Sequence, residues 1–96
     1  MSHEILVVDA KDNVATALRA IERGEIVEVE VAGRPETVLA SRAIPFGHKI
    51  ALRDVQRGEP ILKYGEVIGL ATERIAKGEH VHVHNVEGLQ GRGQQE

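Results

Sequence analysis

Histidine occurs five times in this 96-residue chain, and three of the five alternate with valine in Gly78-Glu79-His80-Val81-His82-Val83-His84-Asn85. On a β-strand that spacing sends the three imidazoles to one face and the valines to the other. Successive histidine Cα atoms would lie roughly 6.6 Å apart, so two or three rings can converge on one metal ion or one anionic substrate. Neutral imidazole is a good ligand for zinc, iron or manganese, which makes His80, His82 and His84 candidate metal ligands. Three residues in line cannot all reach one ion easily, so a further donor must come from elsewhere. The plainer alternative is a polar strand face that happens to use histidine.

His48 is the outside candidate. It stands in Pro45-Phe46-Gly47-His48-Lys49 at the mouth of a strand, where Gly47 lets the backbone turn and Lys49 adds a positive charge suited to a carboxylate. Lys63-Tyr64-Gly65-Glu66 offers a lysine and a phenol that can bind an anionic acid or shuttle a proton; it is equally a simple hairpin turn. Asn85 can bind a substrate hydroxyl, orient the last imidazole, or merely end the strand. There is no cysteine, so no thiolate metal site or disulfide framework is available. The two serines, Ser2 and Ser41, lie in no triad context, and the glycines stand singly at turns rather than in a phosphate-binding loop.

The elements that must position these side chains are short. One phrase recurs, with Ala, then Ile or Val four residues on, then a basic residue and Gly-Glu. It runs over residues 17–25, 51–59 and 71–79, and predicts a strand end, a helical turn closed by a left-handed glycine, and a new strand. Its uneven spacing argues against a solenoid. Residues 26–31 alternate apolar and acidic side chains, as a strand with one wet face requires. Further strands are expected at 5–8, 37–39, 49–52, 60–63 and 67–70, with loops at 32–35 and 44–47 and a last strand ending near Asn85. This is a mainly β domain with short helical turns, spanning residues 1–86, followed by a flexible tail at 87–96 that lacks apolar periodicity.

Composition narrows the class. Aromatic residues make up 2% of the chain against 42% hydrophobic overall, which favours a compact aliphatic core presenting a site on its surface. A domain of this size buries roughly 65% of its unfolded surface, enough for one core. The net charge of −3 is spread among interleaved acids and bases, so nucleic-acid binding is not expected. No apolar run reaches the length of a membrane span and no signal-type segment opens the chain, making the cytoplasm the default compartment.

Three segments, in order and spacing, carry a resemblance: residues 44–52, residues 63–69 and residues 78–85, supported by Asp12-Asn13-Val14-Ala15 near the start. Together they resemble the N-terminal SAF domain of the altronate/galactarate dehydratase (UxaA-like) family. The resemblance implies the small β-clip SAF fold and a lyase that removes water from a sugar acid to leave a 2-keto-3-deoxy product. It also implies a divalent metal, iron or manganese, shared with a larger catalytic subunit. His48 and Lys63 would then be catalytic, Lys49, Tyr64 and Asn85 would bind substrate, and His80, His82 and His84 would meet the metal. Fused members of the family continue into a much larger catalytic region, whereas two-chain relatives, including the sulfolactate sulfo-lyase, keep this domain as a small subunit. The expected partners are therefore a large catalytic subunit and a sugar acid, with self-association possible through open strand edges. A module that only binds a carboxylate or holds a partner together is the competing class.

Overall fold

The computed structural model describes residues 6–88. Among the described residues, nine strands form three three-stranded sheets. In the first, β1 (Leu6–Val8) lies parallel to β3 (Ile26–Val31), which pairs antiparallel with β4 (Arg34–Leu39). In the second, β5 (Lys49–Ala51) lies between β2 (Val14–Thr16) and β8 (His80–Val81). In the third, β7 (Glu66–Ala71) lies between β6 (Pro60–Lys63) and β9 (Val86–Gly88). Among the described residues there is no helix: the expected helical turns are hydrogen-bonded four-residue turns.

The middle sheet divides the core. Ala15, Ile50 and Leu52 pack with Val27, Val29, Val31 and Val38 on one side, while Val14 and Ala51 pack with Val55, Ile61, Ile75 and Val81 on the other. Adjacent residues of β2 and β5 thus serve opposite clusters, the period-two alternation of a strand buried on both faces. The first sheet keeps the wet face that alternation in β3 predicts: Val27, Val29 and Val31 are buried, and Ile26 and Glu28 are exposed.

Two hairpins close on paired left-handed residues, Ala32-Gly33 (φ 51° and 80°) and Tyr64-Gly65 (φ 54° and 76°), the conformation of a two-residue turn that matches strand twist. The first is tighter than the loop expected over 32–35, so β4 begins at Arg34 and is six residues long. Pro35 is tolerated there because β4 is an edge strand.

The recurring phrase has a fourth copy. Ala40-Ser41-Arg42-Ala43-Ile44-Pro45-Phe46-Gly47-His48 repeats the Ala, Ile and Gly spacing of the other three but replaces the basic residue by Phe46 and the glutamate by His48. All four glycines are left-handed, with φ of 87° at Gly24, 84° at Gly47, 88° at Gly58 and 90° at Gly78. The copies associate in two reciprocal pairs. Ile21 and Ile44 exchange backbone hydrogen bonds of 2.8 Å, as do Val55 and Ile75. Gly24 donates to Ala40 and Gly47 to Ala17; Gly58 donates to Ala71 and Gly78 to Ala51. Each pair therefore has approximate two-fold symmetry, and β5 begins where the first pair ends.

Two expectations about the C-terminal part change. The last histidine-bearing strand stops at Val81 rather than near Asn85, and Glu87 and Gly88, expected to open the tail, belong to β9 with Val86. The remainder of the expected tail, 89–96, lies outside the described residues, as does Ile5 of the first expected strand.

Candidate functional site

Asn85 decides the shape of the histidine row. Its side chain is 3% exposed; its Oδ1 accepts from the His82 N–H at 2.9 Å, its Nδ2 donates to the His80 carbonyl at 2.9 Å, and its own N–H donates to the His82 carbonyl at 3.0 Å. These bonds fold residues 82–85 into a turn, so the strict alternation of a strand is lost after Val81. Asn85 is thereby engaged with the backbone of His80 and His82 and ends the strand, the plainest of the three roles weighed for it.

The turn groups three histidines from two segments. In the β5–β8 register Lys49 faces Val81 and Ile50 faces His80, and one step further along that register sets His48 opposite His82. The His48 and His82 rings stack with centroids 3.7 Å apart, and His48 Nδ1 lies 2.8 Å from His80 Nε2. The ligand-capable nitrogens of His48, His80 and His82 all lie within 4.8 Å of one another. His84 is outside this trio: its ring is 5.1 Å from that of His80, tilted by 33°, and exposed. His48, the outside candidate, thus completes the trio with His80 and His82, and His84 does not.

The charges that act on His80, His82 and Lys49 are all basic. Burial pushes the His80 pKa below the usual imidazole value, with further lowering by His84, His48 and His82. His82 is lowered in the same way, by desolvation first and then by His48, Lys49 and His84. Both are therefore neutral, the ligating form, near pH 7. Lys49, half-buried, is lowered by desolvation and by the nearby Lys63 ammonium. Lys63 also lies 5.0 Å from the centroid of the exposed Tyr64 ring.

The donor set fits a divalent first-row metal in type and spacing. Ring orientation must change, and the nitrogen that carries the proton of the His48–His80 hydrogen bond cannot ligate until it gives that proton up. Imidazole lone pairs lie in the ring plane, and His48 and His82 are within 9° of parallel, so one ring must rotate before both nitrogens face one point. A hollow of about 540 Å³ beside His80 is of mixed charge, lined by Arg42, Arg74, Glu73 and Glu79 with His80 and His84. Val83, 80% exposed, marks the tip of the turn.

The sequence reading did not anticipate what holds the Lys63 hairpin. Asp12 is fully buried, and its carboxylate accepts backbone N–H bonds from Asp9 (3.2 Å), Tyr64 (2.9 Å) and Gly65 (2.8 Å). Asn13 clamps the incoming strand, accepting from Leu62 N–H at 2.7 Å and donating to the Pro60 carbonyl at 2.9 Å. The available signal was Asp-Asn ahead of a strand, a pair suited to binding backbone groups.

A family model for the altronate/galactarate dehydratase SAF domain matches residues 3–89. Among curated proteins, the chain is 39% identical to the (2R)-sulfolactate sulfo-lyase subunit alpha of Chromohalobacter salexigens, over 91% of this chain and 96% of that one. It is 40% identical to the altronate dehydratase of Escherichia coli, over 85% of this chain but 16% of that enzyme. The altronate dehydratase of Bacillus subtilis is 39% identical over 83% of this chain and 15% of its own length. The fold and these matches agree: the chain belongs to the altronate/galactarate dehydratase SAF domain family.

Proposed function

We propose that this chain is the small subunit of a two-chain lyase of the altronate/galactarate dehydratase type, which removes water from a sugar acid to give a 2-keto-3-deoxy acid. The observation that carries the reading is the convergence of His48, His80 and His82 beside Lys49. A proton leaves the carbon next to the carboxylate, hydroxide departs from the following carbon with the proton needed to form water, and the resulting enol becomes the 2-keto acid. A divalent metal, iron(II) or manganese(II) in this reading, would be held by His48, His80 and His82 and would supply Lewis-acid stabilisation of developing negative charge. Lys49 and Lys63 draw the carboxylate electrostatically, and Tyr64 and His84, both exposed, are left to meet the substrate or the larger catalytic chain.

One observation favours a second substrate. The sulfolactate relative is covered along 96% of its length, and the altronate dehydratase of Escherichia coli along 16%. The same elimination serves (2R)-sulfolactate, with sulfite leaving in place of hydroxide and pyruvate as the keto acid.

The test is to purify the chain with its larger partner and offer altronate, galactarate and sulfolactate separately. Release of a 2-keto-3-deoxy acid supports the dehydratase; pyruvate with sulfite selects the second substrate. An intact complex that turns over none of the three defeats the lyase reading in favour of a binding module.

A further inference from the structure

We infer that Pro45 is the positioning residue that releases His48 to the imidazole cluster, by removing the amide that the matching side chain caps in every sister turn. The inference rests on the reading of His48 as a site residue. In the other three turns the residue after the left-handed glycine is glutamate, and its Oε1 accepts the N–H three positions back. Glu22 N–H donates to Glu25 at 2.9 Å, Gln56 N–H to Glu59 at 2.7 Å and Ala76 N–H to Glu79 at 2.7 Å. The carboxylate oxygen held in this way is turned back onto its own turn.

The fourth turn has the same backbone. His48 N–H donates to the Pro45 carbonyl at 3.0 Å, as Glu25, Glu59 and Glu79 donate to Glu22, Gln56 and Ala76, each also at 3.0 Å. The difference is chemical: proline has no N–H, so position 45 presents nothing for a capping side chain to accept. The side chain at 48 has no local partner to hold it and extends instead to His80, at 2.8 Å, and onto the face of His82. One proline thus converts a self-closing turn into an outward-reaching one, without altering the glycine geometry that positions it.

Pro45→Ala, His48→Glu and the double variant, all in the full chain, test this. Comparing the effect of His48→Glu in the two backgrounds cancels the change that proline makes to the unfolded chain. Glutamate at 48 should raise the melting temperature only when alanine stands at 45, and the amide of residue 45 in the double variant should exchange slowly with solvent. An equal temperature change in both backgrounds, with rapid exchange at that amide, would overturn the inference. Cobalt(II) titration of the chain adds a readout that turn stability alone does not move. Folded Pro45→Ala should bind the ion roughly tenfold more weakly, as outer-shell changes do, and unchanged affinity would also count against Pro45. If the unmodified chain takes no cobalt, the metal reading falls while the temperature comparison still decides the role of Pro45.

Discussion

The two reciprocal pairs of turns are built alike and used differently. In the pair formed by residues 51–59 and 71–79, both turns end in a glutamate that caps its own backbone. In the pair formed by residues 17–25 and 40–48, one turn ends in Glu25 and the other in His48, which leaves its turn for the cluster. The backbone bonds between partners match in the two pairs, at 2.8 Å between Ile21 and Ile44 and between Val55 and Ile75. Shape is therefore set by the apolar and glycine positions, while the residue after glycine is free to change its task once the cap it provides is dispensable.

The largest expected effect comes from exchanging like positions. His48→Ala should cut turnover of the assembled enzyme by more than about 100-fold, beyond the usual cost of an outer-shell change, and shift the melting temperature little. Glu59→Ala should do the reverse, costing about 1 kcal/mol of stability, as loss of a capping side chain does, with turnover intact. Paired thermal melts and product assays check both; a turnover loss in Glu59→Ala as deep as that in His48→Ala would remove the functional distinction between the turns.

Glycines at equivalent places sharpen the comparison next. A Cβ on Gly78 would sit 2.1 Å from the Leu39 carbonyl oxygen, because this turn lies against the end of β4, whereas a Cβ on Gly58 meets nothing within 4 Å. Gly58→Ala should cost only the left-handed strain of about 1–2 kcal/mol. Gly78→Ala must also displace backbone, and should lose several kcal/mol by denaturant titration. Similar losses at both positions would mean that contact between β4 and the Gly78 turn contributes nothing.

A smaller effect is expected at the surface of the His48 turn. Phe46 is 70% exposed where the sister turns carry Arg23, Arg57 and Lys77. Phe46→Arg restores the sister residue, so it should leave the melting temperature unchanged and weaken assembly with the larger chain, measured by sedimentation. Unaltered assembly would make Phe46 an ordinary exposed side chain.

Much of this was legible in sequence because it depends on local rules. Alternation in residues 26–31 and the left-handed glycines specify strands and turns directly, and the spacing of the histidines pointed to two members of the cluster, His80 and His82. The fourth turn was obscured because Pro45, Phe46 and His48 replace the residues that made the other copies recognisable, leaving only Ala40, Ile44 and Gly47 in register. The end of β8 at Val81 was hidden for a different reason. Alternation of His and Val favours a strand by pattern, and the three hydrogen bonds of Asn85 override it, a competition between side chain and strand ladder that periodicity does not register. The Asp12-Asn13 pair signals binding of backbone groups, but two of the groups Asp12 binds lie more than fifty positions away, so the pattern does not say which hairpin it holds.

The smallest effect separates the pairs by pH. His80 and His82 both have folded pKa values lowered chiefly by desolvation, so the unfolded chain binds more protons than the folded one as pH falls through the ordinary imidazole value of about 6.5. Their contribution to stability is complete above that value and is lost as pH descends through the folded pKa values. Melting temperature should therefore decline by a few degrees between about pH 7.5 and 5.5, modestly because His82 remains partly solvated. Replacing both residues by Gln should flatten the decline. Glu25, whose carboxyl is lowered by the Arg19 hydrogen bond, loses its contribution only at more acidic pH, below its ordinary value of 4.5. Thermal melts of the double Gln variant across both ranges would then show a flat neutral region with the acid loss intact. Persistence of the neutral-range decline would show that the cluster, unlike the capped turns, is not linked to folding through its protons.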